Sequence, residues 1–159
     1  MNSQSNAERY PGVDFAYDLV GPSHEWMTAR LEAIDSRLDS MQNLVATVTI
    51  AAPVLAGAIK EKPDFGSLWF IAAMGIFAAI VLAGITVRAF GKVMAFSPTE
   101  LYAKYLHYDE WEFKKNLIYW GGKNFDANRR LISLRAFVAN VMGIGFLAEA
   151  ACLVVWVIR

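Results

Sequence analysis

The sequence predicts an all-α membrane protein: three transmembrane helices with a cytosolic antiparallel helical stalk. Three observations carry that expectation. Residues Leu44 to Ile59, Leu68 to Val87 and Phe137 to Ile158 are long apolar segments that fill more than a third of the chain. Lys and Arg are shared unequally between the connectors. Upstream of the first and third segments, apolar positions alternate steps of four and three, the spacing of helices packed lengthwise.

Bulk properties agree with a membrane protein. The chain has 159 residues, 56% apolar, with 19% charged residues and a mean hydropathy of +0.33. That length predicts one compact unit rather than two domains. Fifteen basic residues balance fifteen acidic ones, so nothing in the net charge points to a nucleic-acid partner. The single cysteine, Cys152, cannot form an intrachain disulfide. The opening MNSQSNAERYPG lacks the basic-then-apolar order of a signal peptide, so insertion through internal helices is expected.

Residues 1–22 read as an N-terminal tail. Met27, Leu31, Ile34, Leu38, Met41 and Val45 form a heptad seam, so residues 23–59 read as one helix, stalk plus first span, with Ser23 as N-cap. Leu44–Ile59 is short for a span and contains Pro53, which leaves a re-entrant segment as the competing reading. The upstream helix extends it, and proline is tolerated in membrane helices. The second span occupies residues 68–96 and opens with twenty uncharged residues, matching the roughly 20 needed for a ~30 Å hydrocarbon layer. Residues 97–109 read as a short cytosolic helix, because Ser97-Pro98-Thr99-Glu100 has capping-box spacing. Residues 110–159 read as a returning stalk helix plus third span, with Asp109 and Glu112 repeating that spacing at its start. Its expected seam is Phe113, Leu117, Trp120, Asn124, Ala127, Leu131, Leu134, Val138 and Val141, in unbroken phase across Gly121-Gly122.

The connector from Gly91 to Ala136 carries eight Lys/Arg, whereas Lys60 to Ser67 carries two. The positive-inside rule then places the N-terminus and that connector in the cytosol and the C-terminus outside the inner membrane. Phe65, Trp69 and Trp156 would fall near the outer interface. The stretch 1–43 has seven acids and three bases, while 110–136 has six bases and three acids, so the two stalk helices should pair.

Glu149 is the sharpest candidate for function. It lies twelve residues into the third segment and nine before its end, where a carboxylate costs about 2.5 kcal/mol or more unless neutralised, paired or hydrated. It reads either as a pore-lining group, an ion-coordinating group or a buried polar contact between subunits, or as a protonated acid bonded to a neighbouring helix through Thr47 or Thr49. Asn140, nearer the inner interface, reads as an interhelical hydrogen bond. Gly75, Ala79 and Ala83, with Gly143 on the third span, are small residues that let helices approach closely, either within one chain or between copies. In the connector, Tyr105, Trp111, Lys114, Lys115 and Trp120 interleave rings with cations. They could dock a cytosolic sensor protein or a nucleotide signal, or form the core of a helical cap. His24 and His107 lack metal-ligand spacing, and no Gly-rich phosphate loop, HExxH or GxSxG occurs. The expectation is a protein that is not an enzyme and needs no cofactor or metal.

The helix LEAIDSRLDSMQN, the spans through Phe90 and the stretch SPTELYAKYLHYDEWEFKKNLIYWGGKNFDANRRLISLR together resemble the SLATT-type and Pycsar-type membrane effectors. The resemblance is one of architecture and covers most of the chain; the third span departs from a two-span pattern. It implies a small bacterial protein that oligomerises in the membrane and damages it when a partner signals infection. The alternative is a membrane-anchored scaffold or accessory subunit docking a cytosolic partner.

Overall fold

A computed structural model describes residues 10–59, 63–89, 91, 93–94, 99, 103 and 107–159. Among them run three α-helices: α1 (Val13–Ile59), α2 (Leu68–Ala89) and α3 (Glu110–Ile158). All three are long and apolar enough to cross a membrane. The chain divides into two compact units, Met1–Glu32 with Lys92–Ile132, and Ala33–Gly91 with Ser133–Arg159. α1 and α3 each contribute to both.

α1 starts at Val13, upstream of the Ser23 expected from the capping signal, so residues 13–22 of the expected tail are helical. Gly21-Pro22 reads as a break in isolation. Tertiary contacts override it. Lys114 Nζ donates to Asp14 Oδ1 at 2.7 Å and sits 5.8 Å from the Tyr17 ring, and the Tyr10 ring lies 6.1 Å from Trp111. α3 begins on its N-cap, where the Glu112 amide donates to Asp109 Oδ1 at 2.7 Å. It then runs unbroken through Gly121-Gly122. The expected helix over 97–109 and the end of the second span beyond Ala89 lie largely outside the described residues.

In the first unit, Met27 and Leu31 of α1 and Asn128 and Ile132 of α3 are buried. Asn128 holds Met94 of the connector: its Oδ1 accepts from the Met94 amide and its Nδ2 donates to the Met94 carbonyl, both at 2.9 Å. In the second unit, Leu38, Val45, Ile80, Val87, Ala139 and Met142 form one apolar cluster, with Ile34, Met41 and Phe146 packed on it. Ala52, Ala56, Ala73, Leu153 and Trp156 form another. Trp156 is inside this cluster; it stacks with Phe65 and Phe70 and donates Nε1–H to Asp64 O at 2.7 Å. Large apolar side chains face outward from all three helices, among them Ile50, Val54, Ile71, Leu82, Phe137 and Ile144. An exposed apolar surface of this extent is compatible with contact to lipid.

Two expectations about packing are corrected. First, α1 and α3 are parallel, not antiparallel. Asp14 pairs with Lys114 in the first unit, and Asp35 with Arg135 and Thr49 with Glu149 in the second, each at a separation of 100 residues. The reason is topological: α2 reverses the chain direction, so the next helix runs again in the direction of α1. Second, the α3 seam is Asn128, Ile132, Arg135, Ala139, Met142, Phe146, Glu149, Leu153 and Trp156. Trp120, Leu134 and Val141 of the expected seam are exposed. The four-three spacing is the same, but its phase follows polar residues that find partners, while apolar neighbours face outward.

Candidate functional site

Glu149 is fully enclosed within its own chain, on the α3 face that packs against α1. Thr49 Oγ1 is hydrogen-bonded to Glu149 Oε1 and also lies 2.8 Å from the Val45 carbonyl oxygen four residues back. Thr47, the other candidate partner, is exposed and bonds its own helix at Asn43 O. The second carboxyl oxygen, Glu149 Oε2, is buried without a hydrogen-bond partner. Small residues flank the site on α1 and α3: Ala52 is buried beyond Thr49, and a Cβ on Gly145 would lie 3.2 Å from Ile80 of α2. The carboxyl group thus faces the interior of its own three-helix packing rather than outward toward a second copy.

The same seam carries a second polar group toward the start of the spans. Arg135 is 6% exposed, and its Nη1 donates to both oxygens of Asp35 at 2.8 and 2.6 Å. Its Nη2 donates to the Gly91 carbonyl at 3.3 Å. Gly91 adopts φ +94°, open to glycine at little cost, and this directs that carbonyl after α2. Arg88 pairs with Asp39 at 2.6 Å, and Arg37 donates to Asn140 Oδ1 at 3.3 Å, the interhelical bond that the sequence suggested for Asn140.

The remaining candidates separate. Trp111, Lys114 and Lys115 gather with Tyr10 at one end of the first unit. An open cleft of about 630 Å³ there is lined by Tyr10, Pro11, Val13, Trp111, Lys115 and Ile118. Lys115 Nζ sits 5.2 Å over the Trp111 ring. Hydrogen bonds that the Lys114 ammonium donates to Asp14 and then Glu110 hold its pKa well above the ordinary lysine range. Trp120 lies apart, edge-on to Tyr119 with Lys123 at 4.9 Å. Tyr105 lies outside the described residues. Of the small residues, Gly75 has open space at its missing Cβ and Ala79 is exposed, whereas Ala83 is half-buried. A Cβ on Gly143 would meet Met41 Cε at 3.6 Å. The close approach inside the chain uses Gly84 instead, where a Cβ would meet Gln42 Nε2 at 2.1 Å.

Sequence reasoning missed Asp35, Arg135, Asn128 and Gly84. The signal for the first two was present: Asp35 lies four residues after Leu31 and three before Leu38, and Arg135 four after Leu131 and three before Val138. No family model matches this chain, and neither a curated protein nor a solved structure matches it.

Proposed function

We propose that the chain is an oligomerising membrane effector of a bacterial defence or stress system, set in the inner membrane with its N-terminus in the cytosol and gated through its cytosolic helices. The observation that carries this reading is how the second unit distributes its surfaces. Its interior is filled by packed side chains, and its buried polar groups bond to one another inside the chain. A path for ions would therefore form between copies. The open surface of α2 around Gly75 and Ala79 is where backbones of two copies would approach closely in lipid. Glu149, enclosed by its own helices, acts in this scheme on bundle stability rather than as a wall of the shared path.

A second reading, a membrane-anchored scaffold, is favoured by the cleft of Tyr10, Trp111 and Lys115, whose rings and cation suit a docked segment. Inducible expression in a bacterial host separates the two. An effector arrests growth and collapses the membrane potential, and Gly75→Leu relieves both while the protein stays in the membrane. Harmless overexpression with intact potential would leave the scaffold reading. Reporter fusions at residue 125 and at the C-terminus test the orientation, and should report opposite sides of the membrane.

A further inference from the structure

Three buried oxygen atoms and one hydroxyl proton set a counting problem at the centre of the second unit. Thr49 Oγ1 is within hydrogen-bond distance of both the Val45 carbonyl and Glu149 Oε1. A threonine hydroxyl carries one proton, and neither a carbonyl nor a carboxylate carries any. If Glu149 were ionised, Thr49 would satisfy one neighbour and press an unprotonated oxygen against the other. One added proton resolves this: Glu149 Oε1–H donates to Thr49 Oγ1, and Thr49 Oγ1–H donates to Val45 O.

Two further observations need the same proton. Among the described residues, no ion pair or charged hydrogen-bond partner of the carboxyl group is seen. The stretches Asn43–Ile59 of α1 and Leu68–Val87 of α2 hold no ionisable side chain, and Ala136–Ile158 of α3 holds only Glu149 and Cys152. In the sequence these stretches are bounded by Asp39 and Lys60, by Asp64 and Arg88, and by Arg135 and Arg159; Asp39 and Lys60 are at least ten residues from Thr49, Arg135 and Arg159 at least ten from Glu149, and Asp64 and Arg88 flank the α2 stretch. In addition, Oε2 is buried with no donor. An ionised carboxylate shares its charge over both oxygens and calls for donors at each, whereas the carbonyl oxygen of a neutral acid tolerates a missing one far better.

We infer that Glu149, Thr49 and the Val45 carbonyl form an intramembrane proton-binding site, with the bound proton closing a two-step hydrogen-bond relay that joins α3 to α1. Loss of the proton would place a bare carboxylate in this packing and drive α1 and α3 apart at that level so that water can reach it. The ligand class is the proton itself, and the site rests on the membrane reading above.

The test is infrared spectroscopy of the full chain in lipid vesicles at neutral pH, with its glutamates carrying ¹³C at the side-chain carboxyl. Every other glutamate lies outside the three apolar segments. The expected wild-type spectrum contains one carboxylic-acid C=O component among carboxylate bands, and Glu149→Gln removes it. In Thr49→Val the component persists but moves to higher wavenumber, because the acid has lost its acceptor. A wild-type spectrum with carboxylate bands alone overturns the site, and needs no variant that must fold. A component that does not move in Thr49→Val overturns the relay. Growth and membrane-potential assays can fail with the component still present, which would remove the effector reading and leave the proton site standing.

Discussion

Arg135 Nη1 of α3 donates to both carboxylate oxygens of Asp35 on α1, at 2.8 and 2.6 Å, with the arginine side chain almost entirely buried. The pair fixes where the two helices meet. Breaking a buried ion pair from one side costs about 3–5 kcal/mol, because the remaining charge is stranded. The carboxylate is partly open to solvent, so a value near ~2 kcal/mol is the better expectation for Asp35→Ala. Asp35→Leu combined with Arg135→Met should recover most of that loss, since an apolar pair leaves nothing stranded. Denaturant unfolding in detergent, followed by helical circular dichroism, measures both. A double variant less stable than either single one would mean that the pair stabilises beyond its own desolvation.

Parallel alignment of α1 and α3 has a direct test. Met41 Cε approaches the position of a Gly143 Cβ at 3.6 Å, so Met41→Cys with Gly143→Cys places two thiols on facing turns. In a Cys152→Ala background, a short bifunctional thiol reagent should join them within one chain. Leu38→Cys with Ala127→Cys, the pair expected of antiparallel helices, should not react. Efficient joining of the second pair and none of the first would refute the alignment.

Much of this architecture was legible because hydropathy and heptad spacing are one-dimensional signals. Met27, Leu31, Leu38 and Val45 repeat on α1, and all four are buried. The phase of α3 was not legible by the same rule. Its seam runs through Asn128, Arg135 and Glu149, residues that an apolar template rejects. Their burial depends on partners remote in sequence: the Met94 backbone, Asp35 and Thr49. Pairing direction failed for a different reason. Complementary charge on two helices favours contact but does not set polarity; the intervening α2 does. Thr49 was among the partners that the sequence offered for Glu149, while the enclosure of Glu149 within one chain needed that corrected phase.

Lys114 ties the N-terminal turns of α1 to the start of α3 through Asp14 at 2.7 Å and Glu110 at 2.6 Å. Its pKa is raised on folding, chiefly by the Asp14 hydrogen bond and then by Glu110. A raised lysine stabilises fully below its unfolded value, about 10.5, and the contribution fades as pH climbs through the higher folded value. Lys114→Gln should therefore loosen residues 13–20 at neutral pH in the way strong alkali loosens the wild type. Hydrogen exchange of those amides reads the effect. Unchanged protection in Lys114→Gln would show that Tyr10 and Tyr17 contacts alone hold these turns.

Gly84 and Gly75 both lie on α2, yet they face different surroundings. A Cβ on Gly84 would meet Gln42 Nε2 at 2.1 Å and Cδ at 2.8 Å, while one on Gly75 meets nothing within 4 Å. Gly84→Ala can be accommodated by swinging the flexible Gln42 amide away, losing its long 3.5 Å contact with Val81 O. The expected cost is about 1 kcal/mol, that of one modest hydrogen bond. Gly84→Leu exceeds what one side-chain movement can absorb, because Met142 Cε also stands 3.4 Å from the Cβ position. It should cost about 1–3 kcal/mol by overpacking and lower the yield of folded protein. Gly75→Leu should leave single-chain stability near wild type, since its side chain enters open space. If copies associate through that face, Gly75→Leu alone should lower the oligomer mass measured in detergent or nanodiscs. A Gly75→Leu protein that keeps its oligomers, beside a destabilised Gly84→Leu protein, would move the interface elsewhere while leaving the intrachain packing of α2 intact.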